Sequence, residues 1–290
     1  MRDQLSIRSF NLAILQIDVD SQHIMRHKLL ANDTIDRVLA LSRAAGESIL
    51  KVYNRPGAVA VASKDDASPL TEADLAAHHA LVAGLTALSG AVPVVSEEDE
   101  ASLVHRLPSG CFWLIDPLDG TKEFIARNGE FTVNVALVVD GEPVFGVVHA
   151  PVIDQLFVGV RGEGAFRERA GRRESIRVAT RGAAPMRVVA SRSHMTDATA
   201  AYLTRLGAHT LVQAGSSLKF CRVAEGAADA YPRIGPTAEW DTAAAQAVLE
   251  AAGGVVHDLN GRPLRYGKTV NRNEGFVASA WPLPAVEAPS

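Results

Sequence analysis

Trp113-Leu114-Ile115-Asp116-Pro117-Leu118-Asp119-Gly120-Thr121-Lys122-Glu123-Phe124, or WLIDPLDGTKEF, is the stretch on which the reading of this chain turns. FWLI (112–115) has the apolar, aromatic and β-branched character of a buried strand. It runs straight into two aspartates flanking Pro117 and Leu118. Packing supplies no reason to end a buried strand on paired carboxylates. Pro117 fixes its own φ and offers no N–H, which holds the turn open and lets both aspartates face one way. The Leu118 carbonyl is a further oxygen in such a turn. Gly120 allows close approach to a ligand, and free N–H groups around Gly120 and Thr121 suit phosphate oxygens.

Other carboxylates also sit where apolar elements end. VPVVS (92–96) is a short strand leading into Glu97-Glu98-Asp99-Glu100, and Asp241 follows Trp240 at the head of WDTAAAQAVLEAAGG. If the two strands are neighbours, Glu97, Asp116 and Asp119 share one rim. That many anions repel one another unless a cation neutralises them. Oxygen ligands without histidine or cysteine suit Mg²⁺, Mn²⁺ or Ca²⁺ and not zinc. Each feature alone is ordinary. Asp-Pro-x-Asp-Gly is a common turn, residues 97–100 read as a solvated acidic loop, and Asp241 reads as a helix N-cap. Thr71-Glu72-Ala73-Asp74 reads as a capping box. Their joint occurrence at element ends points to a cation site.

Outward from this centre the chain reads as α/β, in layers. DTIDRVLALSRAAGESILKVY places Ile35, Val38, Leu39, Ala45, Ile49 and Tyr53 at helical spacing, with Asp33 or Thr34 as N-cap. EADLAAHHALVAGLTAL is a second helix, expected to turn Leu75, Leu81, Val82, Leu85 and Leu88 inward. FTVNVALVVDGEPVFGVVHAP reads as a hairpin about Asp140-Gly141, and LFVGVRGEGAF extends the antiparallel theme. MRVVAS is a further strand; TDATAAYLTRLG, SSLKFCRVAEGAA and WDTAAAQAVLEAAGG are helices. Three segments are expected: a poorly ordered or start-site-dependent extension over 1–33, an α+β half over 34–180 carrying most of the acids, and a smaller α/β half over 181–290 contributing Asp241.

At 290 residues, 47% hydrophobic and 21% charged, the composition is that of a soluble globular protein. No apolar run approaches the ~20 residues that span a bilayer, and the apolar patch before Asp18 and Asp20 lacks a cleavage site for a signal peptide. A net charge of −4 argues against nucleic-acid binding but not against a small phosphorylated ligand. Arg167-Glu168-Arg169-Ala170-Gly171-Arg172-Arg173 reads as a solvated turn. Cys111 and Cys221 fit no metal or redox spacing and read as buried free thiols of a reducing cytoplasm.

Asp74, Ser96-Glu97-Glu98, Asp116-Pro117-Leu118-Asp119-Gly120-Thr121 and Trp240-Asp241-x-Ala243-Ala244 resemble, in order and spacing, the inositol monophosphatase superfamily of metal-dependent, lithium-sensitive phosphomonoesterases. The resemblance runs from about residue 34 to the end. It implies an αβαβα sandwich with a mostly antiparallel first half. SKDDASPLTEAD, FTVNVALV, SRSH, GSSLKFC and YPRIGPTAEWD are similar to the bacterial 3′(2′),5′-bisphosphate nucleotidase (CysQ-type) branch. So is Lys122-Glu123, where inositol monophosphatases have x-Asn. Ala245 departs from the glycine of many relatives, which a helix accepts readily.

By this resemblance two or more Mg²⁺ ions act per site. Glu97, Asp116 and the Leu118 carbonyl would hold one; Asp116, Asp119 and Asp241 would hold another. Asp74 and Thr121 would orient or deprotonate the attacking water. Adenosine 3′,5′-bisphosphate (PAP) is the implied substrate, with its 3′-phosphosulfate relative (PAPS) a second and a place in sulfur assimilation. Contacts are implied for Glu97, Gly120, Thr121, Lys122, His194, Ser216, Lys219, Arg233 and Asp241. Lys219 and Arg233 equally suit solvated cations, and Lys64 either approaches the site or pairs structurally. His78 and His79 read as surface or packing residues. Alternatives on the same scaffold are an inositol or sugar phosphatase, or a silent sensor of nucleotide bisphosphates. Some relatives imply peripheral attachment to the inner membrane, for which residues 1–33 offer no amphipathic anchor. Oligomeric state is not legible.

Overall fold

The computed structural model describes residues 29–57, 61–63, 69–182, 185–190 and 196–286. Residues 1–28 of the expected extension, and the candidates Lys64 and His194, lie outside the described residues. The chain divides into a unit ending at Val38 and a unit of residues 39–290. The division falls within α1 (Asn32–Tyr53).

Within the second unit, β1 (Val61–Ser63) and β2 (Pro69–Thr71) pair antiparallel. They lead into α2 (Glu72–Ser89). A seven-stranded sheet then runs in chain order. It comprises β3 (Val94–Ser96), β4 (Cys111–Asp119), β5 (Thr132–Val139), β6 (Glu142–Ala150), β7 (Gln155–Val160), β8 (Gly164–Arg169) and β9 (Arg172–Ile176). Only β3 and β4 are parallel, Ser96 opposite Ile115. This neighbouring pair meets the condition under which Glu97, Asp116 and Asp119 share one rim. The β5–β6 hairpin turns at Asp140-Gly141 with φ of 50° and 74°, the doubly positive geometry that matches strand twist.

The second sheet has the order β11 (His209–Gln213), β10 (Met186–Ala190), β12 (Ala230–Arg233), β14 (Phe276–Ser279), β13 (Val255–Asp258). Its helices include α4 (Asp197–Leu206), α5 (Leu218–Ala224) and α6 (Ala243–Ala251); α3 (Thr121–Ile125) follows β4. The core is continuous from Phe112, Leu114 and Val148 to Phe220, Val248 and Phe276. The fold is thus mixed α/β in layers. Among the described residues no helix is long and apolar enough to cross a membrane.

Helix α6 lies against β6 and β7. It comes so close that a Cβ on Gly146 would fall 2.1 Å from the Ala244 carbonyl oxygen. This contact seats the chain just after Asp241 on the sheet.

Several local expectations change. Leu75 points outward, 39% exposed, because the buried face of α2 is Ala73, Asp74, Ala77, Leu81 and Leu85. The strand begun by FWLI does not stop at Ile115 but continues to Asp119. The basic stretch 167–173 is the solvated turn of the β8–β9 hairpin, exposed from Arg169 to Arg173. Its Glu168 is nearly buried and pairs with Arg43 and Arg173. Cys221 is buried and Cys111 partly so; burial raises both thiols, Cys111 to about 11.

His149 on β6 is buried, with Nδ1 2.9 Å from the Ser42 carbonyl oxygen. Burial pulls its pKa from 6.5 to about 4, with the charge of Arg43 adding to the effect. The unfolded chain therefore takes up this proton near pH 6.5 while the folded protein refuses it until about pH 4. Stability contributed by neutral His149 is present above 6.5 and falls by about 3 kcal/mol as pH drops to about 4. Denaturant titrations between these pH values should show this slope, and His149→Gln should flatten it; an unchanged slope would refute the assignment.

Candidate active site

The aspartate stretch is a bulge. Asp116 opposes Asn134 and Asp119 opposes Thr132, so three steps along β4 match two along β5. Pro117 has no N–H to give the ladder, and the Leu118 N–H turns back to Asp116 Oδ1 at 3.1 Å. Asp116 is buried, Asp119 only partly. Glu97 is placed by its own N–H, 3.2 Å from the Ile115 carbonyl.

Asp119 is held through Oδ2, which accepts from Ser216 Oγ (2.5 Å), the Ser217 N–H (2.7 Å), Asn134 Nδ2 (3.3 Å) and Thr132 Oγ1 (3.4 Å). Asn134 Nδ2 also donates to Ser217 Oγ at 2.9 Å, and Ser217 Oγ to the Asp241 carbonyl at 2.9 Å. A polar cluster of Thr132, Asn134, Ser216 and Ser217 thus braces both aspartates. Sequence reading missed Thr132, Asn134 and Ser217; a lone amide within the apolar run FTVNVALVV was the available signal. Ser216, expected to contact substrate, lines the cavity beside the acids and donates its hydroxyl to Asp119.

Asp241 does not cap α6. The N-cap is Thr242, and Asp241 Oδ2 accepts the Ala238 N–H at 2.8 Å. Asp74 does form the capping box: Oδ2 accepts from the Thr71 N–H (2.8 Å) and Thr71 Oγ1 (2.6 Å). Its other oxygen faces Thr121 Oγ1 at 3.3 Å, which also lies 3.4 Å from the Leu118 carbonyl. The pair is loose, as hydrogen bonds in sites without substrate often are. His78, one turn along α2 from Asp74, is not a bystander, since its Nδ1 lies 2.8 Å from Ser96 Oγ beside Glu97.

Burial raises the Asp116 carboxyl well above the usual range, and Glu97, Asp119 and Asp241 raise it further. Asp241 is raised by burial, then by Asp119 and Glu97. These mutual shifts mark a cluster with surplus negative charge. Among the described residues no three acids, histidines or cysteines stand close enough to grip one ion as they are. In chemistry the donor set fits a hard cation: carboxylates, a peptide carbonyl and no nitrogen or sulfur.

Beside these acids a cavity of about 140 Å³ is lined by Asp119, Gly120, Glu123, Lys219, Arg233 and Asp241, among others. Gly120 has φ 91°, and a Cβ there would meet Glu123 Oε2 and Ser216 at 3.3 Å. Burial lowers the Lys219 ammonium pKa, opposed by Asp119 and Glu123; Nζ lies 5.5 Å from the Tyr231 ring centre. Lys122 is exposed and lines no part of this cavity, whereas Glu123 does. A larger cavity of about 1240 Å³, lined by Tyr202, Leu259, Arg265 and Asn273 among others, includes none of the clustered acids.

Residues 31–287 match the inositol monophosphatase family. The chain belongs to that family. It is 51% identical over 248 residues to the 3′(2′),5′-bisphosphate nucleotidase CysQ of Escherichia coli K12, covering 85% of this chain and all of that one. The Buchnera aphidicola CysQ is 41% identical over 249 residues, covering 85% of this chain and 93% of its own. Among solved structures, CysQ from Bacteroides thetaiotaomicron, described as a bacterial member of the same family, superposes with a TM-score of 0.76. It is 40% identical, covering 87% of this chain and 98% of that one.

Proposed function

We propose that the chain is a Mg²⁺-dependent phosphomonoesterase that converts adenosine 3′,5′-bisphosphate to AMP and phosphate, and acts likewise on the 3′-phosphate of PAPS. The observation that carries this is the 51% identity along the whole length of a bisphosphate nucleotidase, joined to acids that share a cavity with Lys219 and Arg233. Glu97, Asp116, Asp119, Asp241 and the Leu118 carbonyl would hold two ions. When bound, Mg²⁺ offsets charge on the acids and on the reacting phosphate.

The chain's own groups do the rest. Thr121 orients a water, and Asp74 takes its proton as the water oxygen bonds to phosphorus. The P–O3′ bond breaks, the 3′-oxygen takes a proton from solvent water to leave as the ribose hydroxyl, and Asp74 returns its proton to solvent. Lys219 and Arg233 face the second phosphate, whose charge restores what burial costs the Lys219 ammonium; the planar Arg fork suits phosphate oxygens. Of the Lys122-Glu123 pair we take Glu123, which lines the cavity, as the member that reads the substrate.

Purified protein with excess Mg²⁺ should release phosphate from adenosine 3′,5′-bisphosphate with kcat/KM at least about 100-fold above that for inositol 1-phosphate or fructose 1,6-bisphosphate, equivalent to a few kcal/mol of selective contact. Equal or reversed rates would move the assignment to another branch of the family.

A further inference from the structure

Glu239 stands two residues before Asp241 and has no solvent exposure. A carboxylate in such a place is costly unless paired and hydrogen-bonded. Each of its oxygens meets one cation and one peptide N–H. Oε2 accepts from Arg106 Nη1 (3.1 Å) and the Gly267 N–H (3.0 Å). Oε1 accepts from the Lys268 N–H (3.1 Å) and faces Lys268 Nζ at 2.7 Å. Arg106 is almost as enclosed, its side chain 6% exposed, and the same Nη1 lies 3.0 Å from the Lys268 carbonyl.

The main chain of Glu239 is fixed as well. Its carbonyl accepts the N–H groups of Thr242 (3.2 Å) and Ala243 (3.1 Å) and the Thr242 hydroxyl (3.2 Å). Its N–H points to Asn271 Oδ1 at 3.4 Å. Asp241 therefore sits inside a turn whose first residue is anchored at both side chain and backbone. At the other end of the ion pair, Arg106 closes the 3₁₀ turn Glu100–His105, which continues from Glu97. Glu239 and Arg106 thus tie the segment that carries Glu97 to the turn that carries Asp241.

We propose that Glu239 and Arg106 are a positioning pair that sets Asp241 against Glu97 and thereby tunes divalent-cation affinity, without touching substrate. The proposal rests on Asp241 being a cation ligand, as put forward above. Supporting groups behind metal ligands commonly carry about 10–100-fold of affinity. Glu239→Gln keeps the shape but loses the charge and offers donors to donors.

The test is direct Mn²⁺ binding, followed by electron paramagnetic resonance of the free ion, together with melting curves and steady-state kinetics. Glu239→Gln is expected to weaken Mn²⁺ binding about tenfold. The Mg²⁺ needed for half-maximal activity should rise in step, with KM for adenosine 3′,5′-bisphosphate unchanged at saturating Mg²⁺. Arg106→Lys should lose less affinity than Arg106→Met, and it carries the test if Glu239→Gln does not fold. Asp229→Asn, which breaks the remote Arg187–Asp229 pair, should lower the melting temperature yet leave Mn²⁺ binding alone. Wild-type Mn²⁺ affinity in Glu239→Gln or in Arg106→Met, or an equal loss in Asp229→Asn, overturns the proposal. Wild-type affinity in Asp241→Asn instead overturns the ligand reading beneath it.

Discussion

Asp119→Asn should abolish Mg²⁺-dependent phosphate release, lowering kcat/KM by at least about 10³-fold, since phosphate monoester hydrolysis depends on very large charge stabilisation. The prediction follows from how the carboxylate is held. Oδ2 is committed to the Ser217 N–H and to Ser216, Asn134 and Thr132, and only an oxygen satisfies the Ser217 N–H. An asparagine must therefore keep its oxygen there and present its NH₂ where the cation would lie. Packing is preserved while an anionic ligand becomes a donor. The same change removes a charge that raises Asp116 and Asp241, so without metal the variant should melt at or above the wild-type temperature. Loss of activity with intact folding separates a ligand from a brace. Activity within tenfold of wild type would remove Asp119 from the site.

Most of what the sequence made legible was local in kind. An apolar run ending on acids, a β-branched run ending on acids and a doubly positive turn at Asp140-Gly141 each carry their reason within a few residues. The parallel pairing of β3 with β4 then brought the rim together as expected. What escaped needed the partner strand. The bulge over 116–119 exists because β5 keeps its own spacing opposite Pro117, and Asn134 acquires a purpose only when that pairing faces it toward Asp119. Asp241 read as a cap because aspartate favours that position, yet the Glu239 carbonyl already accepts the Ala243 N–H and the helix starts beyond it. Leu75 read as core because leucine usually is, whereas the capping role of Asp74 fixes the rotation of α2 and turns Leu75 out. In each miss a polar residue with a definite hydrogen bond outweighed the tendency of its apolar or capping neighbour.

Asp74 tests whether one carboxylate serves structure and chemistry through different oxygens. Oδ2 closes the capping box on Thr71, and Oδ1 faces Thr121. In Asp74→Asn the amide oxygen must stay on the Thr71 N–H, which leaves the NH₂ toward Thr121 and deprives the attacking water of its proton acceptor. Loss of a general base typically costs 10²–10⁴-fold, so kcat should fall by about that factor while Mn²⁺ binding is retained and stability changes by less than about 1 kcal/mol. Thr71→Ala removes the hydroxyl from the cap and leaves the carboxylate in place. It should cost about 1 kcal/mol of stability with a far smaller change in kcat. If Asp74→Asn instead keeps kcat within about threefold, too little for a lost base, Asp74 is a cap alone. If both variants lose kcat in proportion to stability, the site depends on the helix terminus as a whole. A fall in kcat confined to Asp74→Asn assigns the proton to Oδ1, because Oδ2 is the oxygen that the cap already holds.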